Sequence, residues 1–167
     1  MPEEKQRAAL REFAAVAGVD PGEPGRKTLM TWDEIRSIAA HPLVSIGAHT
    51  VNHVNLKRLS EERAKREMTD VVTLLRSELG EAPRHMAYPY GYASAVGCRE
   101  VELAKEAGYV SAVTTRHGVL RAGHANHLHA LPRISVNGRY QRVAHIRTML
   151  SGITTPLANR GRMLVTV

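Results

Sequence analysis

Cysteine is nearly missing from this chain: Cys98 stands alone among 167 residues. A single thiol excludes an intrachain disulfide and, with it, the stapled scaffold of small secreted proteins. Aromatic residues are also scarce, at 4%, so the core has to be built mainly from Leu, Val, Ile, Ala and Met. No apolar run approaches the roughly 20 residues of a membrane-spanning helix. The opening residues, MPEEKQRAALREF, lack the apolar stretch and small-residue cleavage site of a signal peptide. A soluble, cytoplasmic protein without a membrane partner is the expectation. Aspartate is rare too: Asp20, Asp33 and Asp70 are the full set, and none stands beside another.

What is present fits a globular chain of ordinary domain size, 43% hydrophobic. The net charge of +7 and pI near 10 suit an acidic partner such as nucleic acid, an anionic polysaccharide or a membrane surface. The basic residues are scattered, however, and no nucleic-acid-binding motif accompanies them, so the charge reads as an arginine-rich solvated surface.

Residues 1–30 read as an N-terminal helix, EEKQRAALREFAAVAG, followed by a turn-rich connector, VDPGEPGRK. Residues 31–167 read as the main domain. TWDEIRSIAA starts a helix with Thr31 as cap and Glu34 closing a capping box. LVSIGAH predicts a short buried strand. SEERAKREMTDVVTLLRSELG is a helix with Ser60 as cap, an apolar stripe of Met68, Val71, Val72, Leu75 and Leu79, and Gly80 as its stop. HMAYP, YVSAVTT and HALPRISV predict further strands, and CREVELAKEAG and YQRVAHIRTMLSG further helices. This alternation predicts an α/β fold with mostly parallel strands, whose chemistry gathers at the C-terminal strand ends.

Two stretches fall at such ends. GAHTVNHVNL carries His49 and His53, four residues apart after a strand. A helical turn would aim both imidazoles at one spot, where neutral rings could ligate a divalent transition metal. With nine histidines in the chain the spacing by itself is weak evidence. Thr50 or Asn52 could orient one ring by hydrogen bonding. AYPYGYAS follows the next strand, and its Pro-Tyr-Gly turn could expose a backbone N–H to an oxyanion; a plain aromatic turn is the competing reading. HANHLH, with His124, His127 and His129, could be a second metal site but reads better as a polar loop. His117 reads as part of a surface turn.

HTVNH and AYPYG, separated by one helix and followed by GYVSAVTTRHG and LPRISV, resemble the polysaccharide deacetylase family, the NodB-homology group of carbohydrate esterase family four. The resemblance runs from about Thr31 to about Leu150. It implies a distorted (β/α) barrel with fewer than eight repeats, here in part. It also implies a divalent metal, usually zinc, and removal of acetyl groups from N-acetylated poly- or oligosaccharides. Matched by motif, His49 and His53 are the metal ligands. Tyr90 supplies the oxyanion N–H, with Pro89 and Gly91 forming the substrate turn. Arg133, in LPRISV, stands where the family often has a catalytic histidine and is carried as a substrate-binding residue.

The family's Asp-Asp pair, which gives the base and a third metal ligand, has no counterpart here. The expectation is therefore a truncated chain, weak or inactive alone, that pairs its open strand edges with a second chain or as a homodimer. The rival reading is a non-catalytic glycan binder using Tyr88, Tyr90 and Tyr92.

Overall fold

A computed structural model of the chain describes residues 3–167; the first two residues of the N-terminal segment lie outside the described residues. It divides into two compact units, Met1–Ser45 and Ile46–Val167.

The first unit is helical: α1 (Glu3–Val16), α2 (Glu23–Thr28) and α3 (Trp32–Ala39). The capping box on α3 forms as expected. Glu34 N–H donates to Thr31 Oγ1 at 3.3 Å, and Glu34 Oε2 accepts from Thr31 N–H at 2.7 Å. That amide holds the Glu34 carboxyl below the usual range. The connector VDPGEPGRK is not purely turn, because α2 forms within it. Pro24 falls in the first turn, where its missing N–H is no loss. Lys27 Nζ also reaches Glu23 Oε1, one turn back, at 2.6 Å. Asp20 precedes the helix, accepting from Gly22 N–H and pairing with Arg26, and that guanidinium lowers its carboxyl's pKa.

The strand expected at LVSIGAH is reduced to one residue. His41 closes a local turn that consumes the amides of Leu43 and Val44, and Leu43 is 89% exposed. Only Ala48 makes a bridge, parallel, to Met86.

In the second unit, α4 (Glu61–Leu79) leads to β1 (His85–Ala87), α5 (Cys98–Glu106), β2 (Ser111–His117) and β3 (Leu131–Arg133), followed by α6 (Val143–Leu150) and α7 (Thr154–Ala158). The three strands make one parallel sheet in the order β1-β2-β3. α4 begins at the Ser60 cap and stops at Gly80, whose φ of 82° suits the left-handed C-cap. It buries Ala64, Met68, Val71 and Leu75 and packs on α5, which packs on β2.

The apolar core is mainly aliphatic, joined among the described residues by two buried aromatic rings, Tyr88 and Tyr109. Each stays dissolved in an apolar interior because its hydroxyl donates to a backbone carbonyl, Tyr88 to His129 O at 2.8 Å and Tyr109 to Met68 O at 2.7 Å. Burial pushes both phenols well above their usual range. The crossover from β2 to β3 uses short 3₁₀ turns at Ala122–Asn126 and Leu128–Ala130 instead of a helix. Among the described residues no helix is long and apolar enough to cross a membrane.

Candidate active site

The site forms where the Ala48 bridge and β1 end. That bridge, flanked by Ala48 N–H to His85 O and Ala87 N–H to Ala48 O, carries the chain from His49 onward past the end of β1. His49 Nδ1 lies 2.6 Å from Ala87 O. A carbonyl only accepts, so Nδ1 carries the proton and the lone pair stays on Nε2, the tautomer a metal ligand needs. Sequence reasoning gave this orienting task to Thr50 or Asn52. The parallel bridge gives it to a backbone carbonyl instead.

Beyond His49 the chain makes a strained turn. Thr50 has φ 62° and His53 φ 51°, left-handed values that are unfavourable for a β-branched Thr. Such residues cost about 1–3 kcal/mol each and persist only where surrounding bonds over-determine them. Two sets of bonds do so here. Thr50 Oγ1 accepts from His53 N–H at 3.0 Å. Glu67, buried on α4, accepts from Val51 N–H at 3.1 Å, Asn52 N–H at 2.9 Å and Asn52 Nδ2 at 2.7 Å. The turn brings the imidazoles of His49 and His53 together edge to face, with centroids 4.8 Å apart.

The second turn comes from AYPYG. Pro89 is fully buried. Gly91 N–H donates to Pro89 O at 2.7 Å across Tyr90, whose φ is 63°; this i to i+2 closure about a positive φ is the rare, strained γ-turn. Gly91 itself has φ 64°, and a Cβ there would lie 2.5 Å from Thr115 N, so no other residue fits. Thr115, on β2, holds the turn at both of its ends. Its N–H donates to Gly91 O at 3.0 Å and its Oγ1 to Tyr90 O at 2.6 Å. The Tyr90 N–H has no acceptor among the described residues.

The Tyr90 ring lies edge-on to His53 at 5.1 Å and 5.9 Å from Tyr92. The structure thus brings His49, His53, Tyr90 and Tyr92 into one exposed cluster of rings. Arg133 is outside that cluster: it ends β3, with Nε donating to Thr114 O at 2.9 Å.

His117, His124 and His129 have structural tasks. His124 is buried, accepting from Arg121 N–H on Nδ1 and donating from Nε2 to Val165 O. His129 Nε2 donates to Tyr109 O. HANHLH is therefore a pinned loop. His117 ends β2, half-buried and hydrogen-bonded to Thr154 Oγ1 at 2.7 Å, so it is not in a surface turn. A cavity of about 450 Å³ opens between α5, residues 125–130 and the last two residues, and shares no lining residue with the ring cluster.

Two imidazoles, one with its tautomer fixed, suit two positions of a divalent transition metal. Among the described residues no group of three His, Cys, Asp or Glu forms, so the remaining positions are not filled by such side chains.

A profile of the polysaccharide deacetylase family matches residues 16–112, a span that includes both turns. The chain belongs to the polysaccharide deacetylase family. YxkH of Bacillus subtilis (strain 168), named for the same family, is 27% identical over 113 residues, which is 68% of this chain and 38% of that protein. Among solved structures, the Streptococcus pyogenes deacetylase PplD in complex with acetate superposes with a TM-score of 0.64 at 27% identity. The match covers 72% of this chain and 50% of that one. IcaB from Ammonifex degensii, at 23% identity, superposes with a TM-score of 0.59 over 71% of this chain and 51% of that one, a likeness of fold. This chain thus spans half or less of the length of YxkH and PplD. Its three parallel strands and packed helices are the partial α/β barrel of NodB-type deacetylases.

Proposed function

We propose that this chain carries the metal-binding and oxyanion half of a hydrolase that removes acetyl groups from N-acetylated poly- or oligosaccharides. The observation that supports it most is the fixed tautomer of His49 beside His53: Nδ1–H is committed to Ala87 O, and Nε2 is left as a donor atom. His49 and His53 would hold a divalent metal, zinc by the chemistry of the family. A bound metal supplies polarisation of the acetyl carbonyl and activation of a water.

The chain's own residues have separate tasks. The Tyr90 N–H donates to the carbonyl oxygen as that atom gains negative charge. Pro89 and Gly91 fix the turn that aims this N–H, Tyr90 and Tyr92 offer ring faces to a sugar, and Arg133 is carried as a substrate contact. In the reaction, water adds to the acetyl carbon, the C–N bond breaks, and acetate and a free amine leave. The water's proton needs a base, and in the second unit no aspartate or glutamate joins the two imidazoles. The second unit alone therefore deacetylates slowly or not at all, and full activity requires a carboxylate brought to the site from outside it.

The test is a zinc titration by calorimetry on the wild type, His49→Ala and His53→Ala. One equivalent bound by the wild type and at least a tenfold loss in each variant is expected. Equal, weak binding by all three would sink the reading. A second reading, a glycan-binding protein without catalysis, is favoured by the exposed Tyr90–Tyr92 pair. Tyr88 is withdrawn from it, being buried and tied to His129 O. Glycan binding that survives both chelation and His49→Ala would favour this second reading.

A further inference from the structure

We infer that Glu67 is a positioning residue for the imidazole pair: a carboxylate latch on α4 that holds the His49–His53 turn in its metal-competent shape. The inference rests on the two-imidazole reading above and adds a residue to it.

Glu67 lies in the buried stripe of α4, three residues after Ala64, one before Met68 and four before Val71, where packing alone would call for an apolar side chain. It instead spends both carboxylate oxygens on the turn. Oε2 accepts the consecutive amides of Val51 and Asn52, and Oε1 accepts the Asn52 side-chain amide. The pinned residues are the middle of the turn, flanked by the left-handed Thr50 and His53. His49 has an anchor of its own in Ala87 O. The position of His53 relative to His49 depends on the peptide units between them, three of whose amides, those of Val51, Asn52 and His53, are held by Glu67 and Thr50.

Replacing Glu67 by Leu removes the acceptor of two part-buried amides and frees the turn to relax. Replacing it by Gln keeps the arrangement. The Gln carbonyl oxygen accepts both backbone amides, and the Asn52 amide flips to present its oxygen to the Gln NH₂.

The experiment measures zinc binding by calorimetry and amide hydrogen exchange of the metal-free protein for wild type, Glu67→Leu, Glu67→Gln and Met68→Ala. Met68→Ala weakens the same helix by a cavity in its buried face and leaves the Glu67 carboxylate and its hydrogen bonds in place. Glu67→Leu is expected to lose about 10–100-fold in zinc affinity, the range for outer partners of metal ligands, and to exchange the Val51 and Asn52 amides at least about tenfold faster while the α5 and β2 amides keep their protection. Glu67→Gln is expected to stay within about threefold of wild type in both. Met68→Ala is expected to melt earlier yet bind zinc as wild type does. Wild-type affinity in Glu67→Leu overturns the inference, as does an equal loss in Met68→Ala, which would make the effect one of general stability. Loss in Glu67→Gln equal to that in Glu67→Leu would also overturn it, by making charge rather than the latch the cause. If no protein binds zinc, the two-imidazole reading fails. Exchange at Val51 and Asn52 then decides the latch alone: faster exchange in Glu67→Leu upholds it and unchanged exchange removes it.

Discussion

The two turns of the site are strained alike and held differently. The first puts Thr50 and His53 at positive φ, and the second Tyr90 and Gly91. In the first the proposed working groups are side chains, the two imidazoles, and the turn is fastened by side chains: Glu67 from α4 and Thr50 from within. In the second the proposed working group is a backbone amide. That turn is fastened mainly by backbone and close packing, with Pro89 buried, Gly91 pressed against Thr115 N and one side-chain donation from Thr115 Oγ1 to Tyr90 O. The difference follows from what each must keep still. A ring can be re-aimed by its own torsions, so a side-chain latch with some give is enough. An amide aimed at an oxyanion has no torsion of its own and must be set by the chain around it.

If so, the second turn is the more brittle. Gly91→Ala is the harshest change available, because it meets both a positive φ and a contact of 2.5 Å to a backbone nitrogen. It is expected to cost about 2–4 kcal/mol, combining left-handed strain with overpacking. The urea midpoint should drop with little change in slope. A midpoint within experimental error of wild type would show that the turn adapts.

Alkaline pH tests the same turn from below. Tyr88 sits directly before Pro89, its phenol raised first by burial and then by the nearby charge of Glu100; Tyr109 is raised by burial. The folded state therefore binds these protons more tightly than the unfolded chain does. Their stabilisation is complete below the ordinary tyrosine pKa, about 10, and is lost as pH rises above it. Denaturation midpoints should fall above about pH 10, with tyrosinate absorbance appearing together with unfolding. Tyr88→Phe should flatten part of that fall while costing about 1 kcal/mol at neutral pH for the lost bond to His129 O. An unaltered alkaline profile in Tyr88→Phe would take Tyr88 out of the explanation.

The sequence shows the residues of the candidate site better than their supports. The two histidines, the Pro-Tyr-Gly turn, the caps of α3 and α4 and the parallel β1 and β2 follow from local signals: spacing, cap residues and apolar period. The strand at LVSIGAH was misread because the turn at His41 consumes its first amides and leaves Ala48 alone to bridge. Helix α2 was misread because a Pro in the first turn and one ion pair were enough to shape a Gly-Pro stretch. Glu67 was passed over as one charge in a charged helix, since its partners lie 15 and 16 residues upstream. A signal was present: a carboxylate in the same stripe as Ala64, Met68 and Val71 is a buried charge, and a buried charge needs donors. The ring-orienting role of Ala87 O had no signal, because a carbonyl has no identity in a sequence.

The gentlest test separates the turns from each other. Thr115→Val keeps the shape of the side chain and the backbone bond to Gly91 O but removes the 2.6 Å donation to Tyr90 O. One hydrogen bond at an exposed threonine is worth about 1 kcal/mol at most. The Tyr90 carbonyl can turn to water, so the loss in stability should be about 0.5–1 kcal/mol. Thr115 makes no hydrogen bond to either imidazole among the described residues, so zinc affinity should stay at the wild-type value. In a catalytically active form of the protein, by contrast, the proposed role of the Tyr90 N–H predicts a fall in turnover with little change in substrate affinity, because that amide would be called on only as charge develops on the carbonyl oxygen. A parallel loss of zinc affinity in Thr115→Val would show that the two turns move as one. The His53–Tyr90 ring contact at 5.1 Å is the route by which they would do so.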